Sequence, residues 1–214
     1  PAWMASDAVG LLFMPLAGGP TERVVACLTT AGGGPPRAGF TRKSLHLWMR
    51  GTPGHRRFTV VSHPLRRAHD VFVRKILDPG PEGFPDIRAV LRDRYGLDLP
   101  DDLDGFGPAR HRAAFLGFLQ FLKGNLSGQT SVRVPAAWAS QAALVAALAE
   151  IAPPDMVLRA EAMDVGLSSL RPGLPPVSPE AATPLDTFYD PEIENAARAA
   201  YARDYLTFGD GNWR

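Results

Sequence analysis

Two stretches of this chain pass from an apolar strand through a tight turn into a helix, and that repeated order constrains the fold more than any other feature. In VGLLFMPLAGGPTERVVACLTTAG (9–32), the apolar run Val9 to Leu16 has the length of a buried strand. Gly18 and Gly19 permit a close turn, and Pro20 suits a first helical turn, where its missing N–H has no bond to lose. In RRFTVVSHPLRRAHDVFVRKIL (56–77), the first residues are β-branched and continuous, as expected of a parallel strand covered on both faces. After Pro64, the residues Leu65, His69, Phe72, Val73 and Ile76 keep a helical rhythm.

The same alternation continues. FPDIRAVLRDRYG and PARHRAAFLGFLQFLKGNLSG read as helices closed by glycine, the second opened by Pro108, with the turn-prone acidic stretch LDLPDDLDGFG between them. ASQAALVAALAEIAPP reads as an amphipathic helix stopped by two prolines, and DMVLRAEAM as a strand leading to a short helix. Residues 171–190 are expected to form a Pro-rich, ordered surface loop, followed by a helix over about 191–206 with Asp190 as its N-cap. Strands alternating with helices predict an α/β fold: a mostly parallel sheet flanked by helices, joined by right-handed crossovers. The 214 residues suit a single domain, with 84–126 as a helical insertion. Ligands of such sheets gather at the carboxyl ends of the strands. The turns near Gly18 and Pro64 are therefore expected side by side on one rim.

Composition excludes several classes. No apolar run approaches the ~20 residues of a membrane span, and the start of the sequence lacks the order of a secretory signal. The lone cysteine, Cys27, excludes an internal disulfide and a cysteine-based zinc site, and fits a reducing cytoplasm. It sits among apolar residues of an expected helix, as a buried, inert thiol does. No HExxH, GxSxG, EF-hand or zinc spacing occurs, so no metal is expected. The net charge of +1 conceals a polarity: from Arg37 to Lys75 there are ten Lys or Arg residues and one acid, Asp70. Such a segment suits an anionic partner, a nucleotide, phosphate or sulfate, although a solvated basic face accounts for it equally well. Nucleic acid is a poorer match, because few aromatics interleave these charges.

Four constellations carry the chemistry. PLAGGPTERV places Gly18, Gly19 and the N–H groups of a helix start where an anion can bind, with Arg23 one turn on. It is no Walker A loop, and Leu16 stands where a lysine would handle phosphate. The second turn places His63 at a strand end as a candidate base, and Arg67 within reach of an anion; a structural hydrogen bond is the plainer role for a histidine beside proline. Trp138 and Gln141 fall three apart, so that on one helix they share a face and could line a pocket. Arg159 and Glu161 flank a strand end, as a structural ion pair would.

Taken in order, strand–PLAGGPT–helix and strand–SHPLRRAHDVF–helix resemble the two nucleotide motifs of sulfotransferases that use 3′-phosphoadenosine 5′-phosphosulfate (PAPS). The nearest likeness is to bacterial proteins of the carbohydrate-sulfotransferase branch, with AAWASQ, MVLRAEAM and AAYARDYLTFG as further matches across nearly the whole chain. The resemblance implies a P-loop-like fold, no metal, and sulfuryl transfer from PAPS, leaving PAP, to a hydroxyl or amine acceptor. It implies that Ala17, Gly18, Gly19, Thr21 and Arg23, with Ser62, Pro64 and Arg67, hold the nucleotide, and that His63 is the candidate catalytic group. The departures fall on the chemistry. Leu16 replaces the lysine, Ser62 the arginine before His-Pro, Asp70 the serine, and Pro135 and Ala137 the Asp and His before tryptophan. Each lost charge-assisted hydrogen bond costs roughly 1.5–3 kcal/mol, and a carboxylate ~4 Å from a phosphate adds about 4 kcal/mol of repulsion. PAPS affinity is thus expected to fall roughly 10³–10⁵-fold. Activity is weakened or lost on this reading; the alternatives are a rearranged donor site served by Arg66 or Arg42, and a non-catalytic member that binds an anion or a partner.

Overall fold

A computed structural model describes residues 3–214. The chain partitions into two compact units, one made of residues 1–63 and 143–181, the other of residues 64–142 and 182–214. Each has its own apolar core. The single domain with an 84–126 insertion expected from the sequence divides the chain differently from these two units.

The first unit is an open sheet of four strands in the order β1 (Met4–Ser6), β2 (Leu11–Phe13), β3 (Arg56–Val61) and β4 (Met156–Arg159). β1 pairs antiparallel with β2 across a turn containing Gly10 at φ 63°, a left-handed conformation that glycine adopts without penalty. β2, β3 and β4 are parallel. The architecture is α/β with a mixed sheet, parallel in three of its four strands. β2 is shorter than its apolar run, yet the Met14 N–H still donates to the Phe58 carbonyl (2.9 Å), and the Thr59 hydroxyl donates to the Met14 carbonyl (2.6 Å). These bonds carry the strand pairing into the turn.

The four residues Phe58 to Val61 are buried without alternation, as befits a central parallel strand. Phe13 and Phe58 lie opposite each other in register with their rings stacked at 5.1 Å. Helix α1 (Thr21–Gly32) buries Val24, Cys27 and Leu28, the i, i+3, i+4 stripe that packs into this core. Burial also raises the Cys27 thiol above its usual range, so it stays protonated and unreactive. Helix α2 (Arg42–Gly51) was not among the expected elements; a reciprocal cap between Thr41 and Ser44 starts it, and Leu45 and Trp48 anchor it. Met163, Leu167 and Leu170 of α7 (Met163–Leu170), which follows β4 through a single 3₁₀ turn, complete the core.

The second unit is helical. α3 (Pro64–Val71) passes into a π-helical stretch (Phe72–Leu77), followed by α4 (Pro85–Tyr95) and α5 (Pro108–Leu126). Buried Arg88 of α4 donates to the Ile76 and Leu77 carbonyls, satisfying groups that the end of the π stretch leaves open. The C-terminal helix expected as one piece is two, α8 (Pro191–Ala200) and α9 (Ala202–Phe208), broken at Tyr201. Asp190 caps α8 as expected, accepting from the N–H groups of Glu192 and Ile193. Helix α6 (Gln141–Ala149) carries the chain back toward β4. Residues 171–190 are irregular apart from a single 3₁₀ turn (Pro184–Thr187), and most are exposed or half-buried, with Val177, Thr183, Leu185 and Phe188 buried.

Within the helical core, the His69 ring stacks on His111 with Nε2 to Nε2 at 2.9 Å, and its Nδ1 meets the Thr183 hydroxyl at 3.1 Å. Phe115 and Phe188 enclose it. Burial, then the His111 and Arg66 charges, hold His69 down to about 3, while Asp186 pulls weakly the other way. The folded state therefore keeps His69 neutral, whereas the unfolded chain takes up a proton near 6.5. Its contribution is complete above that pH and is lost as pH falls from 6.5 toward 3, by up to ~1.4 kcal/mol per pH unit. Urea midpoints of the native chain should consequently drop more steeply over this interval than those of His69→Phe, and equal slopes would show that the histidine pair is not the acid-sensitive element.

Candidate functional site: the carboxyl rim of the sheet

Because β2, β3 and β4 run parallel, their carboxyl ends share one rim of the first unit. The turn after β2 and the Ser62–His63 turn after β3 thus leave neighbouring strand ends, the arrangement expected from the sequence. The first turn lies close against β3: a Cβ placed on Gly19 would sit 3.1 Å from the Leu16 carbonyl oxygen and 3.8 Å from that of Val60. Gly18 has φ 76°, a left-handed conformation that favours glycine, while at Gly19 a side chain would crowd the Leu16 carbonyl.

Two amides of this turn are engaged within it. Gly19 N–H donates to the Leu16 carbonyl (3.0 Å), and Thr21 N–H turns back to the Gly19 carbonyl (2.9 Å). In an anion cradle such groups point at the ligand. Leu16 is buried, and Ala17 is exposed. Arg23 Nε donates to the Ser178 carbonyl at 2.9 Å, which ties α1 to the segment after α7; Arg23 Nη1 is buried with no acceptor. At the second turn Ser62 and His63 are buried, and the His63 backbone N–H donates to the Glu161 carboxylate at 2.6 Å. A carboxylate of the chain itself thus occupies the backbone donor at the end of β3. Glu161 comes from the 3₁₀ turn directly after β4, so the parallel β3–β4 pairing delivers it there.

The remaining expected donor residues belong to the helical unit. Pro64 opens α3. Arg67 is 1% exposed, and its guanidinium donates to the Ala139 carbonyl (2.8 Å) and the Ala136 carbonyl (3.1 Å). Burial pulls its pKa down, and the nearby Tyr201 and Asp204 pull it back up. Asp204 in turn accepts from Gln141 N–H (2.9 Å) and Ala142 N–H (3.0 Å), capping the start of α6, and from the Ser140 hydroxyl. Asp70 forms an ion pair with Arg66 at 3.0 Å, one helical turn apart. Trp138 and Gln141 do not share a helical face: Trp138 lies in the turn before α6 and is core, edge-on to Phe84 and Phe118, with Nε1 donating to Asn125 Oδ1 at 2.9 Å. Pro135 starts that turn, where the Trp138 and Ala139 N–H groups bond back to its carbonyl, so the helical register cannot reach Trp138.

No family model matches the chain, and neither a curated protein nor a solved structure matches it. No helix of the described residues is long and apolar enough to cross a membrane, and among them no group of three or more His, Cys, Asp or Glu side chains could hold a metal.

Arg67 offers a direct test of structural against ligand-binding use. Arg67→Met keeps the aliphatic bulk but strands two carbonyls and removes the positive charge that Asp204 feels. It should lower unfolding stability by about 3 kcal/mol or more in urea titrations. An unchanged midpoint would show that the guanidinium is not holding the 135–141 turn.

Proposed function

We propose that this chain is a sulfotransferase-like α/β protein whose donor-site positions have been converted to internal structure, and that it does not turn over PAPS at an ordinary rate. The observation that carries the reading is Arg67, the one nucleotide-motif guanidinium retained at its family position, which donates to the Ala139 and Ala136 carbonyls of its own unit. Three further observations support it. The Gly19 and Thr21 amides bond within the first turn, Glu161 engages the His63 N–H, and no lysine stands at Leu16.

The Asp70–Arg66 pair adjusts the energetics in both directions. It neutralises the carboxylate, so the repulsion of a phosphate by Asp70 falls well below the ~4 kcal/mol of an unpaired charge. It also commits Arg66, one of the two cations, with Arg42, that could serve a rearranged donor site. Without the lysine, stabilisation of the leaving phosphate is lost as well, worth on the order of 10²–10³ in rate. The remaining role for such a protein is binding: an anionic group or a protein partner, without transfer.

PAP titrated into the native chain should give little or no rise in melting temperature. The triple variant Leu16→Lys, Ser62→Arg, Asp70→Ser restores the family's residues at three positions and should gain a PAP-dependent rise. A native shift as large as that of the triple variant, or sulfuryl transfer from radiolabelled PAPS to a carbohydrate acceptor, would overturn the reading.

A further inference from the structure

An open cleft of about 550 Å³ lies at the opposite rim of the sheet, lined by His46, Met49, Arg50, His55, Arg56 and Arg57, with Pro53, Gly54 and Asp155 completing it. All of these residues belong to the first unit. Arg56 and Arg57 open β3 and Asp155 precedes β4, so the cleft sits at the amino ends of the parallel strands. At ~3.3 Å per strand residue, the six residues of β3 separate it from the Ser62–His63 turn by roughly 17–20 Å. Nothing in the proposed function uses it.

Its construction favours an anion. α2 presents His46, Met49 and Arg50 at i, i+3 and i+4, one face of the helix. Gly54, at φ 78°, turns the chain so that His55 reaches the same cleft. The His55 Nδ1 lies 2.8 Å from the Thr52 carbonyl; since a carbonyl only accepts, Nδ1 carries the hydrogen. The ring is further held edge-on to Trp48 at 5.3 Å.

The lining has three guanidiniums against one carboxylate. Asp155 is engaged chiefly by Arg57, through the backbone N–H and both side-chain donors at 2.8, 3.2 and 2.8 Å, with the Arg56 charge a weaker influence on the same carboxyl. Arg50 and Arg56 are both exposed, and neither forms an ion pair among the described residues. Between Arg37 and His63 the sequence contains no Asp or Glu, so the lining keeps an excess of positive charge over the single carboxylate of Asp155.

We infer that this cleft binds a phosphate or sulfate monoester, with Arg50 and Arg56 on its oxygens. Guanidinium groups match the oxygens of tetrahedral anions through paired N–H donors. The volume exceeds what a bare oxyanion fills, and Met49 and Pro53 offer apolar surface to the organic body of the ester.

Calorimetric titration at low salt with p-nitrophenyl phosphate and p-nitrophenyl sulfate tests this, with inorganic phosphate and sulfate as separate arms. Either ester should bind more tightly than its inorganic ion, and the tighter of the two identifies the source of the anionic group. Arg50→Gln and Arg56→Gln should each weaken ester binding roughly tenfold or more. Lys43→Gln, on α2 but not lining the cleft, should leave it unchanged. Absence of heat with both esters overturns the inference, and so does a Lys43→Gln loss equal to that of Arg50→Gln, which would reduce the effect to diffuse charge attraction. Both arginines are exposed, and matching melting temperatures of the variants would confirm that they fold.

Discussion

The parallel pairing of β3 with β2 on one side and β4 on the other fixes everything else in the first unit. One buried strand sets the register of two neighbours, and because all three point the same way, the unit acquires two chemically different rims. Turns that carry Gly18, Gly19, Ser62 and His63 gather at one rim, while Arg56, Arg57 and Asp155 gather at the other. Phe13 stacked on Phe58 and the Thr59–Met14 bond hold the register between β2 and β3. A slip of one residue would turn every side chain of β3 to the other face.

Within each unit, several polar groups share a pattern: they satisfy the protein's own backbone. Arg67 serves carbonyls of the 135–141 turn, Arg23 serves Ser178, Glu161 serves the His63 N–H, and Asp204 serves the start of α6. Buried polar groups need partners, and local backbone groups are the nearest available ones. Asp70 and Arg66 follow the same logic by pairing with each other.

Much of this was legible in the sequence. The two strand–turn–helix units, the helix that Pro108 opens and the Asp190 cap all rest on local signals, periodicity and turn chemistry, and all are present. The omissions have separate causes. The Thr41/Ser44 cap of α2 was visible as a local signal, but serine in place of Glu or Gln at the third position weakens it. The Asp70–Arg66 spacing of four likewise announces a pair, though a likeness to a phosphate motif draws attention to repulsion instead. The break at Tyr201 was not legible, because alanines on both sides favour helix. What accompanies it is a tertiary contact, the Tyr201 hydroxyl donating to the Trp138 carbonyl at 2.9 Å across 63 positions of sequence. No local pattern encodes the Arg23–Ser178 bond, which joins residues 155 apart.

The interleaving of the two units has its own kinetic meaning. The Arg57–Asp155 bridge that helps close β3 on β4 joins residues 98 apart, and most of the helical unit is threaded between them. During synthesis, the sheet must therefore wait for its last strand while that intervening chain emerges, and the helical unit must wait for residues beyond 181. Non-local closure of this kind slows folding, since the entropy of the loop is lost before the contacts form. Neither half can be cut free as a continuous fragment, so nascent chains spend time with an open strand edge, the condition in which chaperone capture competes with aggregation.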